Sequence, residues 1–340
     1  MVAVDLREVK TSSRFQVSRG MRTIFVGLIV LYVASAFIAP TSVSRVAQMG
    51  MLPFAAALAI VGLGQTLVIQ QGGIDLSVAG AVSLTVVIVT WGPDRHDNRL
   101  IPSVLAAFAA AIITGIINGI LVTRTKLNSI VATLGTNALL YGVMMGLSGG
   151  SPRRTTDRLS NFTNNKFLGL PHSIWIGILA TVVVTILLKR TVFGRRFEAV
   201  GANPRAARAA GLKVGRYQMS AYINAQLLYC LAGVVLGGVI SQPTAYQGDD
   251  YVLPSVAVVV LGGTSLLGGR GFPAASAAAA LFLKQLDMFV LSLGVPYGVR
   301  TIVISIALMM GIAMYAMNWS SIRQKLMRSP SNKRLNPASA

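Results

Sequence analysis

The sequence predicts an all-α polytopic membrane protein with about ten transmembrane helices and both termini in the cytoplasm. Of its 340 residues, 54% are hydrophobic and 12% are charged, whereas an average soluble domain is about 25% charged. The mean hydropathy is +0.66, and the 34 glycines suit helices that pack closely in a membrane. The third observation is the repeated occurrence of apolar runs long enough to cross a bilayer.

Apolar segments define the predicted spans, because a helix that crosses the bilayer needs about 20 mostly apolar residues. The ten segments are residues 23–40, 49–70, 74–91, 101–122, 129–147, 173–188, 217–240, 252–267, 272–293 and 296–318. They predict a single membrane domain at residues 23–318. Basic tails at 1–22 and 319–340 flank it, and the first apolar run is long enough to span rather than to act as a cleaved signal.

The distribution of basic residues sets the predicted orientation. With ten spans, the side that holds both tails carries twenty-one lysines and arginines, and the other side carries eight. Lysine and arginine accumulate on the cytoplasmic side of membrane proteins, so the tails are expected there. The formal net charge of +20 therefore indicates an anionic lipid surface as a partner and no nucleic acid.

Motifs for catalysis and nucleotide binding are missing from the sequence. The nearest match to a phosphate-binding loop, GTSLLGGR at residues 263–270, lacks the lysine and the serine or threonine that follow the second glycine of that motif. The single cysteine, Cys230, lies in an apolar run and allows no disulfide within the chain. We therefore expect a chain that is not an enzyme and binds no cofactor or metal of its own.

Charged residues within the spans are few, namely Lys284, Asp287 and Arg300. The spacing of three residues allows Lys284 and Asp287 to pair on one helix face, and Asp287 and Arg300 can pair between helices. A neutralised structural cluster is the favoured interpretation, and a role in gating is the alternative.

Uncharged polar residues recur in the spans and suit a pathway for a neutral, hydroxyl-rich solute. Hydrogen bonding between helices is the alternative for each of them. The candidate pathway or gate residues are Gln65, Thr66, Asp75, Asn118, Thr136, Asn137 and Asn224, with Thr133 and Gln226 nearby in the pattern. Asp75 follows Gly72 and Gly73, so its carboxylate is also placed to cap the third span.

The longest polar loop on the cytoplasmic side is residues 193–216, which carries six basic residues and one acid, Glu198. Asn203 is a good helix N-cap and Pro204 a good first helical residue, and Gly211 ends the alanine-rich stretch that follows. Two helical turns are unstable alone, so this segment needs a surface to dock on. A surface helix in an ordinary basic loop is the alternative.

Four motifs in the same order resemble the permease subunit of ribose-type monosaccharide ABC importers, within the group that includes branched-chain amino-acid permeases. They are GQTLVIQQGGIDLSVAG at 64–80, IINGILVTRTKLNSIVATLGTNALLYGV at 116–143, GRRFEAVGANPRAARAAGL at 194–212 and VVVLGGTSLLGGRGF at 258–272. The resemblance covers roughly residues 49–316. It implies a multi-pass protein of the bacterial inner membrane.

The resemblance also implies partners and a coupling site. A second permease subunit, identical or related, an ABC ATPase that binds ATP and Mg²⁺, and a periplasmic sugar-binding protein are expected. The ATPase-coupling helix is expected at Asn203, Pro204, Arg205, Ala206, Ala207, Arg208, Gly211 and Leu212. The alternatives are the same machine for a branched-chain amino acid, a polyol or a signalling sugar, a stand-alone ion-coupled or facilitating transporter, and a membrane scaffold.

Overall fold

The computed structural model describes residues 19–309, apart from 152, 241, 297, 304, 307 and 308, and this part of the chain is mainly helical. Its helices are α1 Arg19–Ile38, α2 Arg45–Gln70, α3 Val78–Trp91, α4 Leu100–Thr123, α5 Ser129–Ser148, α6 Asp157–Asn164, α7 His172–Arg190, α8 Val192–Ala202, α9 Pro204–Ala209, α10 Val214–Val239, α11 Val252–Leu261 and α12 Pro273–Ser292. Residues 298–303 are also helical. A short hairpin, β1 Lys166–Phe167 and β2 Leu170–Pro171, precedes α7.

The predicted all-α polytopic class is confirmed. Within the described residues, seven helices are long and apolar enough to cross a membrane: α1, α2, α4, α5, α7, α10 and α12. The third and eighth predicted spans correspond to the shorter helices α3, with 14 residues, and α11, with 10 residues. Most of the tenth span and nearly all of both tails lie outside the described residues, so the count of ten and the cytoplasmic termini stay predictions.

Helices α2 and α10 form the centre of the bundle. α2 is buried almost continuously from Ala55 to Gln70, and α10 packs against α2, α3 and α4. Glycines bring these helices close together, because Gly64 lies against the Tyr229 ring and Gly115 lies against the backbone of Ile223. Packing of small residues replaces the hydrophobic effect as the main source of helix association in a membrane.

Replacing Gly115 by alanine should lower the thermal stability of the protein. The new Cβ would lie 2.6 Å from Ile223 Cα, so α4 and α10 would have to move apart. We expect a loss of about 1–3 kcal/mol, as for other overpacked cores. Gly135→Ala in α5 is the matched control, since a Cβ there meets no atom within 4 Å. Unfolding midpoints in detergent compare the two variants, and equal midpoints would contradict this packing.

Two membrane segments are interrupted, which explains why the third and eighth spans differ from their predicted bounds. After α2, Gly72 adopts φ +82° and residues 73–75 have no regular secondary structure, so α3 begins at Val78 rather than at residue 74. After α11, Gly263, Gly268 and Gly269 all have positive φ, and no helix resumes before Pro273. Such backbone is stable at membrane depth where protein buries it or where it lines a cavity.

The loop at residues 193–216 folds into two helices. The predicted cap is confirmed, because Asn203 Oδ1 accepts hydrogen bonds from the N–H groups of Arg205 and Ala206, and Gly211 ends the turn with φ +80°. The preceding helix α8 was not predicted. Its glycines are poor helix formers, but Gly194 packs against the backbone of Leu188 and Gly201 against that of Gln70.

Candidate functional site

A buried polar cluster, which we call the Asp75 cluster, lies where α3 begins. It consists of Asp75, Ser77, Asn118 and Gln226, all fully buried. The Asp75 carboxylate accepts hydrogen bonds from the Ser77 N–H at 2.9 Å and the Ser77 hydroxyl at 2.5 Å, and from Gln226 Nε2 at 3.2 Å. Asn118 and Gln226 also donate to Ser77 Oγ at 2.9 and 2.7 Å. The start of α3 is thereby joined to α4 and α10.

Asp75 does not occupy the predicted cap position. Ser77 is the N-cap of α3, and the Asp75 carboxylate stabilises the turn before the helix. Among the salt bridges of the described residues none involves Asp75. The side-chain oxygens of Asn118 and Gln226 have no hydrogen-bond partner in the described part of the chain. The cluster therefore contains more acceptors than donors.

Polar residues at every fourth position of α5 hold the interruption between α2 and α3. Ser129 accepts from the Ile74 N–H at 3.1 Å, Thr133 from the Leu76 N–H at 2.9 Å and Asn137 from the Gly80 N–H at 2.7 Å. Because unpaired backbone groups are costly in a membrane, these bonds explain why the non-helical segment is tolerated. The Asn137 side-chain oxygen thus has a structural task.

The remaining predicted pathway residues are dispersed. Gln65 accepts from the Tyr229 hydroxyl at 2.7 Å, and Thr66 bonds to Gly62 O and to Ser276. Thr136 and Asn224 donate to carbonyls of their own helices. The structure thus joins Asp75 and Asn118 through Ser77, and their role in solute passage stays a prediction. No site role was predicted for Ser77 or Tyr229 from the sequence. Ser77 could have been found from its position two residues after Asp75, because an aspartate side chain commonly accepts a hydrogen bond from the backbone two residues on.

A second contact region, which we call the α2–α8 junction, links α8 to the end of α2. Gln71 Nε2 donates to Phe197 O at 2.8 Å, and the Gly269 N–H donates to Gln70 O at 2.8 Å. Gly201 lies directly on Gln70 O, where a side chain would not fit. The loop at 193–216, the end of α2 and the α11–α12 turn therefore meet immediately before the interruption that leads to the Asp75 cluster.

Helix α9 presents an exposed face beside this junction. Only Ala207 of this helix is buried, packed with Val200 and Val214. The other predicted coupling residues on the helix, Pro204, Arg205, Ala206 and Arg208, are exposed, as is Gly211, while Leu212 is half-buried. The alanine-rich surface of α9 is therefore largely exposed.

The predicted pairing of Asp287 is half right. Arg300 binds the Asp287 carboxylate through Nε and Nη2, both at 2.6 Å, so the pairing between helices is confirmed. The pairing of Lys284 with Asp287 is wrong, because the Lys284 ammonium lies over the Tyr251 ring at 5.6 Å. The bidentate fork of an arginine competes better for a carboxylate than a lysine three residues away.

The described residues thus form a helical membrane protein with interrupted spans and an exposed short helix outside them, an architecture that suits a transporter subunit. They contain no cluster of three or more histidine, cysteine or acidic residues that would hold a metal. Residues 48–313 match the family described as branched-chain amino acid transport system / permease component, and the chain belongs to this family. It is a permease of the ABC type, located in the bacterial inner membrane.

Several curated proteins are similar over most of the chain. The ribose import permease protein RbsC of Bacillus subtilis is 32% identical over 85% of this chain and 90% of its own length. RbsC of Escherichia coli K12 is 34% identical over 75% of this chain and 80% of its own length. The autoinducer 2 import system permease protein LsrC of Klebsiella pneumoniae is 34% identical over 68% of this chain and 67% of its own length. No solved structure gives a significant match.

Proposed function

We propose that this chain is the membrane-spanning permease of a bacterial ABC importer for a neutral monosaccharide of the ribose type. A periplasmic binding protein delivers the sugar, and ATP hydrolysis in a separate subunit drives its passage. The observation that carries the proposal is the exposed, capped helix α9 beside the α2–α8 junction. The proteins similar to this chain include ribose import permeases.

Coupling proceeds from α9 to the interrupted helix. The ATPase subunit, which holds ATP and Mg²⁺, docks on α9 and shifts it together with α8. The Gln71–Phe197 hydrogen bond and the glycine contacts then transmit the shift to the end of α2. The Asp75 cluster lies only four residues beyond Gln71, so α3 moves relative to α10 and α4. A second permease subunit, identical or related, completes the cavity.

A signalling sugar is the second candidate, because LsrC is named as an autoinducer 2 import permease. The experiment that separates the candidates is purification of the complex through a tag on this chain, followed by binding assays on the partner binding protein. The panel contains D-ribose, other neutral monosaccharides, polyols, autoinducer 2 and branched-chain amino acids. We expect the tightest binding for a ribose-type sugar, and preference for an amino acid would contradict the proposal.

Replacing Gln71 by leucine should uncouple ATP hydrolysis from uptake without preventing assembly. Leucine has a similar size but cannot donate to Phe197 O, so α8 loses its side-chain bond to α2. In proteoliposomes of the full complex we expect a lower ratio of sugar imported to ATP hydrolysed. Gln48→Leu is the matched control, since Gln48 bonds to Ser42 and Gln285 near the opposite end of α2. An unchanged ratio in Gln71→Leu would exclude this relay.

A further inference from the structure

The segment between α10 and α11, residues 240–251, returns into the membrane domain. The Gly248 N–H donates to Ser83 Oγ at 2.9 Å, and Gly248 packs directly on Ala79 O, which leaves no room for a side chain. Ser83 lies eight residues before the end of α3 at Trp91, and a helix rises 1.5 Å per residue, so the contact is roughly 12 Å below that end. The α10–α11 connection therefore packs on α3, the helix that follows the interruption after α2.

A polar and aromatic group of side chains surrounds this meeting point. The Tyr141 hydroxyl donates to the Asp249 carboxylate and lies close to the side chains of Asn137 and Ser83. The rings of Tyr141 and Tyr246 are tilted by 59° with centroids 5.3 Å apart. We call Asn137, Tyr141, Tyr246 and Asp249 the tyrosine site.

The tyrosine site is open at the surface of the protomer. Tyr246 is 47% exposed, Asp249 is exposed, and Tyr141 and Asn137 are half-buried. The surrounding surface of α5 is apolar, with Leu139 and Val143 exposed. Among the described salt bridges none involves Asp249 or the adjacent Asp250. Carboxylates at this depth face a water-filled cavity rather than lipid, because hydrocarbon does not solvate them.

We propose that the tyrosine site contacts the solute inside the translocation cavity and takes a neutral polyhydroxylated molecule. Aromatic rings pack against the C–H face of a sugar, and the carboxylate, amide and phenol groups supply acceptors and donors for its hydroxyls. Asp249 and Asp250 repel sugar phosphates and carboxylates. Binding sites in transporters are typically formed by interrupted helices, and α3 follows such an interruption. The inference rests on the proposed importer function and locates the solute within it.

Cysteine labelling tests whether the site faces water. Cys230 is fully buried, so it gives little background. Tyr246→Cys and Asp249→Cys should react with a membrane-impermeant maleimide in the assembled complex. Leu179→Cys on the apolar face of α7, where the leucine is 64% exposed, should not react. D-ribose with its binding protein should slow labelling of Tyr246→Cys. Absence of reaction at both sites, or reaction without protection by D-ribose in a complex that imports it, would overturn the proposal.

Transport by point variants supplies the second test. Tyr246→Leu should reduce the rate of D-ribose uptake about tenfold, the scale of one lost aromatic contact. The amount of assembled complex should stay constant. Phe167→Leu is the matched control, because Phe167 is 57% exposed and makes an edge-to-face contact with Trp175 outside the site. Wild-type uptake in Tyr246→Leu would refute the site, whereas absence of ATP-driven uptake in the wild-type complex across the solute panel would refute the importer function instead.

Discussion

Replacement of Asp75 by leucine is expected to destabilise the protein severely. The substitution removes the acceptor for both the N–H and the hydroxyl of Ser77, which are fully buried. Each unsatisfied buried group costs about 1–3 kcal/mol, so we expect a total loss of about 3 kcal/mol or more. The measurement is the amount of inserted protein together with the midpoint of thermal unfolding in detergent.

Asp75→Asn is the control that separates hydrogen bonding from charge. The asparagine carbonyl still accepts both bonds from Ser77, but its N–H₂ group replaces the oxygen that accepts from Gln226 Nε2, so one hydrogen bond is lost. We expect the asparagine variant to lose about 1 kcal/mol at most, the net worth of one ordinary hydrogen bond. Equal losses in both variants would show that the negative charge, not the acceptor geometry, stabilises the cluster.

Deletion of residues 205–210 is expected to abolish coupled uptake while the protein still inserts. The deleted segment contributes one buried side chain, Ala207, so the membrane domain loses little packing. Without α9 the ATPase has no helix to engage, and the loaded binding protein should no longer stimulate ATP hydrolysis. Uptake should fall to the background of empty vesicles. The measurement is ATPase activity and sugar uptake in the same proteoliposomes.

The double variant Arg205→Ala and Arg208→Ala is the matched control for this deletion. It removes both exposed charges of α9 but keeps the helix, since alanine has the highest helix propensity. We expect coupled uptake to persist, because a groove recognises the shape of the helix. If this double variant lost coupled uptake as completely as the deletion, the coupling role would belong to the two arginines rather than to the shape of the helix.

Local signals carried the sequence predictions that the structure confirms. Helix α9 was predicted from Asn203, Pro204 and Gly211, and its cap and its end are set by those same residues. The long apolar helices followed from composition, since a span depends only on its own residues. Asp287 and Arg300 are close in sequence, and their pairing was predicted because both lie near the outer ends of neighbouring predicted spans.

The features that the sequence did not reveal depend on contacts between residues that are far apart in the chain. The start of α3 depends on Ser129 and Thr133, more than 50 residues away, and the Asp75 cluster depends on Gln226, 151 residues away. No local pattern indicates these partners. Helix α8 was missed for the same reason, because its glycines are acceptable only against the backbones of α7 and α2.

Identifying the energy source for uptake tests most directly whether this chain works as the permease of an ABC importer. The chain is reconstituted into proteoliposomes alone or with its ATPase and sugar-loaded binding protein, and uptake of labelled D-ribose is followed with ATP or with a sodium or proton gradient. We expect uptake only when all partners and hydrolysable ATP are present, and no uptake with an ion gradient alone. Gradient-driven uptake by the chain alone would contradict this expectation and identify a stand-alone transporter.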